Sequence, residues 1–268
     1  MGKEYRANIS AASTIGSRTE NQDNLMIDTL LSDKGKKPGD FMFDRAIEIK
    51  EDKSYYFVVC DGMGGESGGK KNSEIAVNAI FSQLEKLKNK NNPIEVFKAI
   101  LEANRQVISY LERNKMKGGT TMSLLKINNN RTMEIFNIGD SPIILVRDGE
   151  MFLISEEQNV AGIKLKNKRI TKEEYEKSNE KNRLLGFLGD KTWKSMTNLY
   201  YNGPFEYKSG DIVMLASDGL LGALDSKTIL KSLDFDFDAS ELIRLTKEVK
   251  DKKDNDNITV LMLQLLEN

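Results

Sequence analysis

The chain has 268 residues and a formal net charge of −1 with 30% charged side chains, so it can bury a large core and lacks the basic excess of a nucleic-acid binder. Its one cysteine, Cys60, excludes an intramolecular disulfide and fits a reducing compartment. It has no histidine, which removes Ser-His-Asp and Cys-His nucleophilic schemes, histidine-ligated zinc and the usual acid near neutral pH.

The N-terminus, MGKEYRANISAAST, is polar and mixed in charge, with no apolar stretch of the signal-peptide kind. Met1-Gly2 opens like a myristoylation motif, but Arg6 stands where Ser or Thr is required. No run approaches the length of a membrane span, so a cytoplasmic protein is expected. NISAASTIGS reads as a short strand broken at Gly16, and RTENQDNLMID runs from polar to apolar. Lys34 to Asp40, KGKKPGD, is expected to be a surface loop. SYYFVVCD is a β-rich buried strand, and GMGGESGGKK after it reads as a glycine-rich turn. Gly64, Gly69 and Lys70 there come within one residue of the phosphate-cradling G-x-x-x-x-G-K-[ST] loop. Lys71 stands where the hydroxyl should be, and that loop would leave the chain's aspartate motifs unexplained.

NSEIAVNAIFSQLEKLKN places Ala76, Ala79, Ile80, Leu84 and Leu87 on one helical face. NKNNP ends it. PIEVFKAILEANRQVISYLERN repeats Val96, Phe97, Ile100, Leu101, Asn104, Val107, Ile108 and Leu111 at helical spacing. Two such segments across a short loop predict a packed helical pair. The period then becomes strand-like in GGTTMSLLKI, TMEIFNIG, SPIILVRD and EMFLIS, with Asp148-Gly149 a hairpin signal. Residues 156–181 are charged and lysine-rich, and TKEEYEKSNEK looks helical. DIVMLASDG is another buried strand, DSKTILKSL and ASELIRLTKEVK are helical, and NITVLMLQLL closes as a strand. Helices in clumps between antiparallel strands predict an α+β layered fold rather than a doubly wound sheet. No linker or repeat divides the chain, so residues 1–268 are expected to form one domain.

Aspartates recur at the boundaries of the apolar strands: Asp61 in VVCDGMGG, Asp140 in IFNIGDS, Asp218 in VMLASDG and Asp256 in DNDNITVLML. A fifth, Asp23, sits in RTENQD. A single Asp-Gly is most simply a turn. Five acids at apolar boundaries are costly unless paired or metal-bound. Without histidine and with few lysines in the strands, a shared divalent cation is the simplest account. Its ligands must be oxygens, which favours Mg²⁺ or Mn²⁺.

RTENQD, DGMGG, GGTTMSLLKI, NIGDSPIILVRDGE, SGDIVMLASDGLLGAL and DNDNITVLML, in that order and over nearly the whole chain, resemble the motifs of the metal-dependent protein phosphatases. This is the type-2C or PPM family, in its bacterial-type branch. The resemblance implies a four-layer αββα sandwich, two antiparallel β-sheets flanked by helical pairs. It implies a protein serine/threonine phosphatase using two core Mg²⁺ or Mn²⁺ ions and a third, weaker one. Water would attack phosphorus directly, with no phosphoenzyme. Carried over, Asp61 would bridge the core ions, the Gly62 carbonyl would join one, and Asp218 and Asp256 would complete the other. Asp140, with Asp218, would serve the third ion, Asp23 would orient water, and Arg18 would grip the phosphate. Partners would be phosphorylated substrates of Ser/Thr kinases, met by a monomer, with no nucleic acid and no membrane.

Some residues depart from the family pattern. Met63 stands where eukaryotic members often place a histidine, so water is expected to protonate the leaving alkoxide. Gln22 replaces an acidic residue, and Glu157-Gln158 replaces an Asp-His pair. Loss of Asp61, Asp218 or Asp256 would mark an inactive, partner-binding member, and all three are present. Cys60 and Trp193 read as packing, and Asp256 rather than Asp254 precedes NITV. The flap from Val160 to Lys181, with KLKNKR, reads first as a solvated loop and second as an attractor of acidic phosphosubstrates.

Overall fold

YYFVVC is apolar without alternation because both faces of its strand are covered. Phe57 and Val59 face one core, while Tyr56, Val58 and Cys60 face another. The computed structural model describes residues 5–28, 30–31, 41–50, 53–87, 92–128, 130–192, 198–249 and 256–268. The expected loop at Lys34 to Asp40, Trp193 and Asp254 lie outside these residues.

In chain order the strands are β1 (Tyr5–Thr14), β2 (Asp23–Ile27), β3 (Leu30–Leu31), β4 (Phe41–Ile49) and β5 (Ser54–Met63). After helices α1 (Gly65–Glu85) and α2 (Pro93–Arg113) come β6 (Gly119–Thr120), β7 (Met122–Asn128), β8 (Thr132–Ile138), β9 (Ile143–Arg147) and β10 (Glu150–Leu153). Then follow α3 (Val160–Lys166), α4 (Lys172–Glu176), β11 (Tyr200–Glu206), β12 (Ile212–Ala216), α5 (Asp218–Ala223), α6 (Ser226–Phe235), α7 (Ala239–Val249) and β13 (Ile258–Glu267). One sheet has the order β10-β9-β12-β13-β1-β4, the other β11-β8-β7-β5-β2-β3, with β6 beside β5. All registered pairings are antiparallel.

Three buried clusters separate four layers. Ile9, Leu25, Phe57, Leu125, Val213 and Leu263 fill the space between the sheets. Val58, Ile80, Ile100, Leu124 and Phe136 bind α1 and α2 to the outer face of one sheet. Met214, Ile229, Leu242, Val260 and Met262 bind α6 and α7 to the other. The expected αββα sandwich is therefore present.

Several elements differ from expectation, among them α5, a short helix directly after the strand read in DIVMLASDG. The strand β4 places Phe41, Phe43, Ile47 and Ile49 on one face, an alternation that Arg45 interrupts; it lies at a sheet edge with the other face exposed. The expected helix after Asn72 begins at Gly65, so GESGGKK forms its first turns rather than a loop. TKEEYEKSNEK gives only α4 and a 3₁₀ turn over Asn179–Asn182, while α3 forms in the segment before it. β11 pairs with β8 across a register shift around Gly203 and Pro204. Lys126 is fully buried opposite Glu134, with Nζ donating to Oε1 at 2.9 Å.

Candidate metal centre

The strand boundaries bring the five aspartates to one end of the sandwich. Asp23 and Asp61 face each other as register partners of β2 and β5. Asp61 lies within β5, which runs two residues further and pairs Gly62 with Thr120. Asp218 is the first residue of α5, where backbone N–H groups favour a carboxylate. Asp140 follows β8 and Asp256 precedes β13.

Their protonation behaviour records this crowding. Burial pushes Asp23 up from 3.8 to about 7, with Asp218 and Asp256 adding repulsion and the Thr259 and Ser217 hydroxyls pulling the other way. Asp61 is held well above the carboxylate range by burial first, then by Asp23, Asp218, Asp256 and Asp140. Asp140 rises to about 7 through burial and Asp218. Asp218 is raised by burial and Asp256, although its exposed edge lets water screen part of this. These carboxylates form a site short of positive charge.

Arg18 supplies one cation. Its Nη2 donates to Asp256 Oδ2 at 2.8 Å, with 60% of the Arg18 side chain exposed. Asn257 stitches the Arg18 loop down: its Nδ2 donates to the Ile15 and Glu20 carbonyls, and its Oδ1 accepts from the Gln22 amide. Among the described residues, no three His, Cys, Asp or Glu side chains converge as a ready-made ligand cluster.

The glycines beside Asp61 serve close approach. A Cβ on Gly62 would stand 2.1 Å from the Gly69 carbonyl oxygen and 2.8 Å from that of Gln22. A Cβ on Gly69 would strike the Gly62 oxygen at 2.6 Å and Gln22 Oε1 at 2.2 Å. Gly64 and Gly65, at φ 142° and 73°, make the sharp turn from strand into helix. Gln22 offers no ligand charge, and its Nε2 donates to the Gly65 carbonyl. The Gly69-Lys70-Lys71 stretch is thus helix packed on strand, not a phosphate cradle.

Hydroxyl groups behind the carboxylates set their positions. The Asp61 amide donates to Thr121 Oγ1 at 2.9 Å, and the Thr121 and Ser141 hydroxyls lie 2.6 Å apart, which ties the Asp61 backbone to the residue after Asp140. Ser217 Oγ donates to Asp23 Oδ2 at 2.8 Å and accepts from the Thr259 amide at 2.9 Å. The other oxygen, Asp23 Oδ1, is buried without a protein partner. Ser217→Ala should therefore lower activity or raise the metal needed for half-activation by about 10–100-fold. KM for a phosphopeptide should stay the same, because Ser217 reaches substrate only through Asp23. Unchanged activity together with an unchanged metal titration would remove Ser217 from this role.

The flap touches the centre at its base. Asn159 Nδ2 donates to Asp140 Oδ2 at 3.3 Å and caps α3 through Oδ1. Tyr175 on α4 donates to Glu157 Oε1 at 2.8 Å. Gln158, buried, accepts from the Gly139 amide and donates to the Asn198 carbonyl, so it fixes the backbone entering Asp140.

A two-sheet sandwich with five aspartates gathered at one end and Arg18 beside them is the kind of scaffold a cation-dependent phosphatase uses. The sequence profile of protein phosphatase 2C matches residues 38–254. The chain belongs to that family. Protein phosphatase PhpP of Streptococcus pneumoniae is 29% identical over 218 residues, covering 78% of this chain and 85% of that protein. The serine/threonine phosphatase of S. agalactiae superposes with a TM-score of 0.76 at 23% identity, over 96% of this chain and 98% of that one. The catalytic domain of serine/threonine phosphatase PstP, solved in complex with two manganese ions, gives 0.74 at 22% identity over 98% and 99%.

Proposed function

We propose that the chain is a metal-dependent protein serine/threonine phosphatase, acting as a monomeric single domain over residues 1–268 in the cytoplasm. The observation that carries this reading is five aspartates at one end of the sandwich, four of them raised chiefly by burial and by one another, together with Asp23 Oδ1 left unpartnered. Such a donor set fits hard divalent cations, and carboxylates raised in this way ionise when cations neutralise them. Asp61, the Gly62 carbonyl, Asp218 and Asp256 would hold the core ions, and Asp140 with Asp218 would hold a third. Since no three acids converge as a cluster among the described residues, carbonyl and water oxygens would complete the coordination, as Mg²⁺ and Mn²⁺ permit.

Bound in pairs, such ions lower the pKa of water and offset charge on the phosphoryl oxygens. The chain's own residues do the rest. Asp23 Oδ1, the free acceptor, orients the attacking water by taking its hydrogen bond. Arg18 exchanges Asp256 for two phosphate oxygens, for which its fork is shaped. Asn257 keeps the Arg18 loop in place during that exchange. No side chain of the histidine type returns a proton to the alkoxide, so water does. The substrates are phosphoserine and phosphothreonine proteins made by Ser/Thr kinases.

With Mn²⁺, the protein should release phosphate from a radiolabelled phosphothreonine peptide and carry no label after a denaturing quench. Folded protein that releases no phosphate would overturn the reading, and label retained on the protein would overturn direct attack.

A further inference from the structure

The flap carries more positive charge than its own structure consumes. Between Val160 and Arg183 there are eight lysines and arginines against four glutamates, in a chain whose net charge is −1. Three of the lysines are engaged: Lys164 with Glu180, Lys166 with Glu156 and Lys177 with Glu173. Glu174 is taken by the capping box of Thr171. Lys181 lies over the Tyr175 ring. Lys168, Arg169, Lys172 and Arg183 remain exposed, with no acidic partner among the described residues.

Their placement relates them to the centre. Lys168, Arg169 and Lys172 occupy the turn joining α3 to α4 and the first residue of α4. α3 is capped by Asn159, which also touches Asp140, and α4 holds Glu157 through Tyr175, one turn beyond Lys172. Arg183 lies at the base, where its carbonyl accepts from the Val160 amide. A cationic rim is thus tied through α3 to Asn159, which touches Asp140, and through α4 to Glu157, two residues before Asn159.

We propose that this rim selects phosphosites flanked by acidic residues, with Lys168, Arg169 and Lys172 meeting carboxylates of the substrate while its phosphate occupies the centre. The inference rests on the phosphatase reading and adds the substrate class. Unpaired cations at a surface steer anions and fix their register without taking part in the chemistry. The preference is therefore one of kcat/KM for peptides, screened by salt over a Debye length of about 10 Å at 0.1 M.

The test compares two phosphothreonine peptides of equal length, one with Asp and Glu flanks and one with Lys flanks, alongside an aryl phosphate, all with Mn²⁺. The acidic peptide should be favoured by about five- to tenfold at low salt, and the ratio should shrink as salt rises. The K168E/R169E/K172E protein should lose or reverse that ratio while its aryl phosphate rate stays within about twofold of the unaltered protein. Equal rates for the two peptides, or a preference that survives the triple replacement, would overturn the proposal and leave the phosphatase reading intact. Failure to hydrolyse the aryl phosphate and both peptides would instead sink the parent reading.

Discussion

Asp61→Asn should reduce turnover by about 10³-fold or more and leave the fold standing, with thermal stability in chelator equal to or above that of the unaltered protein. The two halves have one cause. Asp61 is surrounded by Asp23, Asp218, Asp256 and Asp140, each of which disfavours its charge. An amide of the same shape removes the charge that the ions need and the repulsion that the fold endures. Its side chain shares a hydrogen bond with Asp218, which an amide N–H can also make. The bonds that hold the strand are made by its backbone: the amide donates to Thr121 Oγ1, and the carbonyl accepts from the Thr120 hydroxyl and the Thr121 amide. The replacement touches none of these backbone bonds. Each kcal/mol of repulsion relieved should raise the midpoint by about 2–4 °C. Parallel melts and phosphopeptide rates decide the matter. Near-normal rates would overturn the bridging role, and a large fall in the midpoint would make Asp61 a structural residue.

What was legible in the sequence follows from which interactions are local. The period of α2 was readable because its buried face is set by spacing alone, and Val96, Ile100, Val107 and Leu111 are all buried. The start of α1 was not. Glycines argue against helix by propensity, but here they let Gly69 press on Gly62 across the strand–helix interface, a contact between residues seven apart that no local rule reports. β4 was missed because Arg45 interrupts an alternation that an edge strand, wet on one face, tolerates. β11 carries no strand pattern that can be read locally, because Gly203 and Pro204 interrupt it and leave only an edge strand with a register shift.

The site divides the same way. Its aspartates stood out because a carboxylate at the boundary of an apolar strand demands a partner. The hydroxyls that hold them did not: Ser217, Thr259, Thr121 and Ser141 look like ordinary strand and loop residues until the sheets bring them behind Asp23 and Asp61. Asn257 was visible only as part of DNDN, yet it binds three backbone groups of the Arg18 loop. The Lys126–Glu134 pair was hidden because alternation reads a strand lysine as solvent-facing, whereas both faces of this sheet are covered.

Removing metal should abolish phosphopeptide hydrolysis and reverse the way stability depends on pH. In chelator, Asp23 and Asp140 titrate at about 7 in the folded chain and at ordinary values near 3.8 when unfolded. Between those values the folded state binds more protons than the unfolded one. Stability therefore falls as pH rises through that window, by on the order of 1 kcal/mol per pH unit for each such group, and flattens above about 7. With saturating Mn²⁺ the carboxylates bind the ion in their charged form, protons compete with it, and stability should rise over the same range. At 100 times its dissociation constant an ion adds about 2.7 kcal/mol. Melts at pH 5.5, 6.5 and 7.5, in chelator and in Mn²⁺, should therefore diverge as pH increases, and activity lost in chelator should return on adding Mn²⁺. Parallel curves would mean that these aspartates do not meet the ion, and activity that persists in chelator would separate the carboxylate cluster from catalysis altogether.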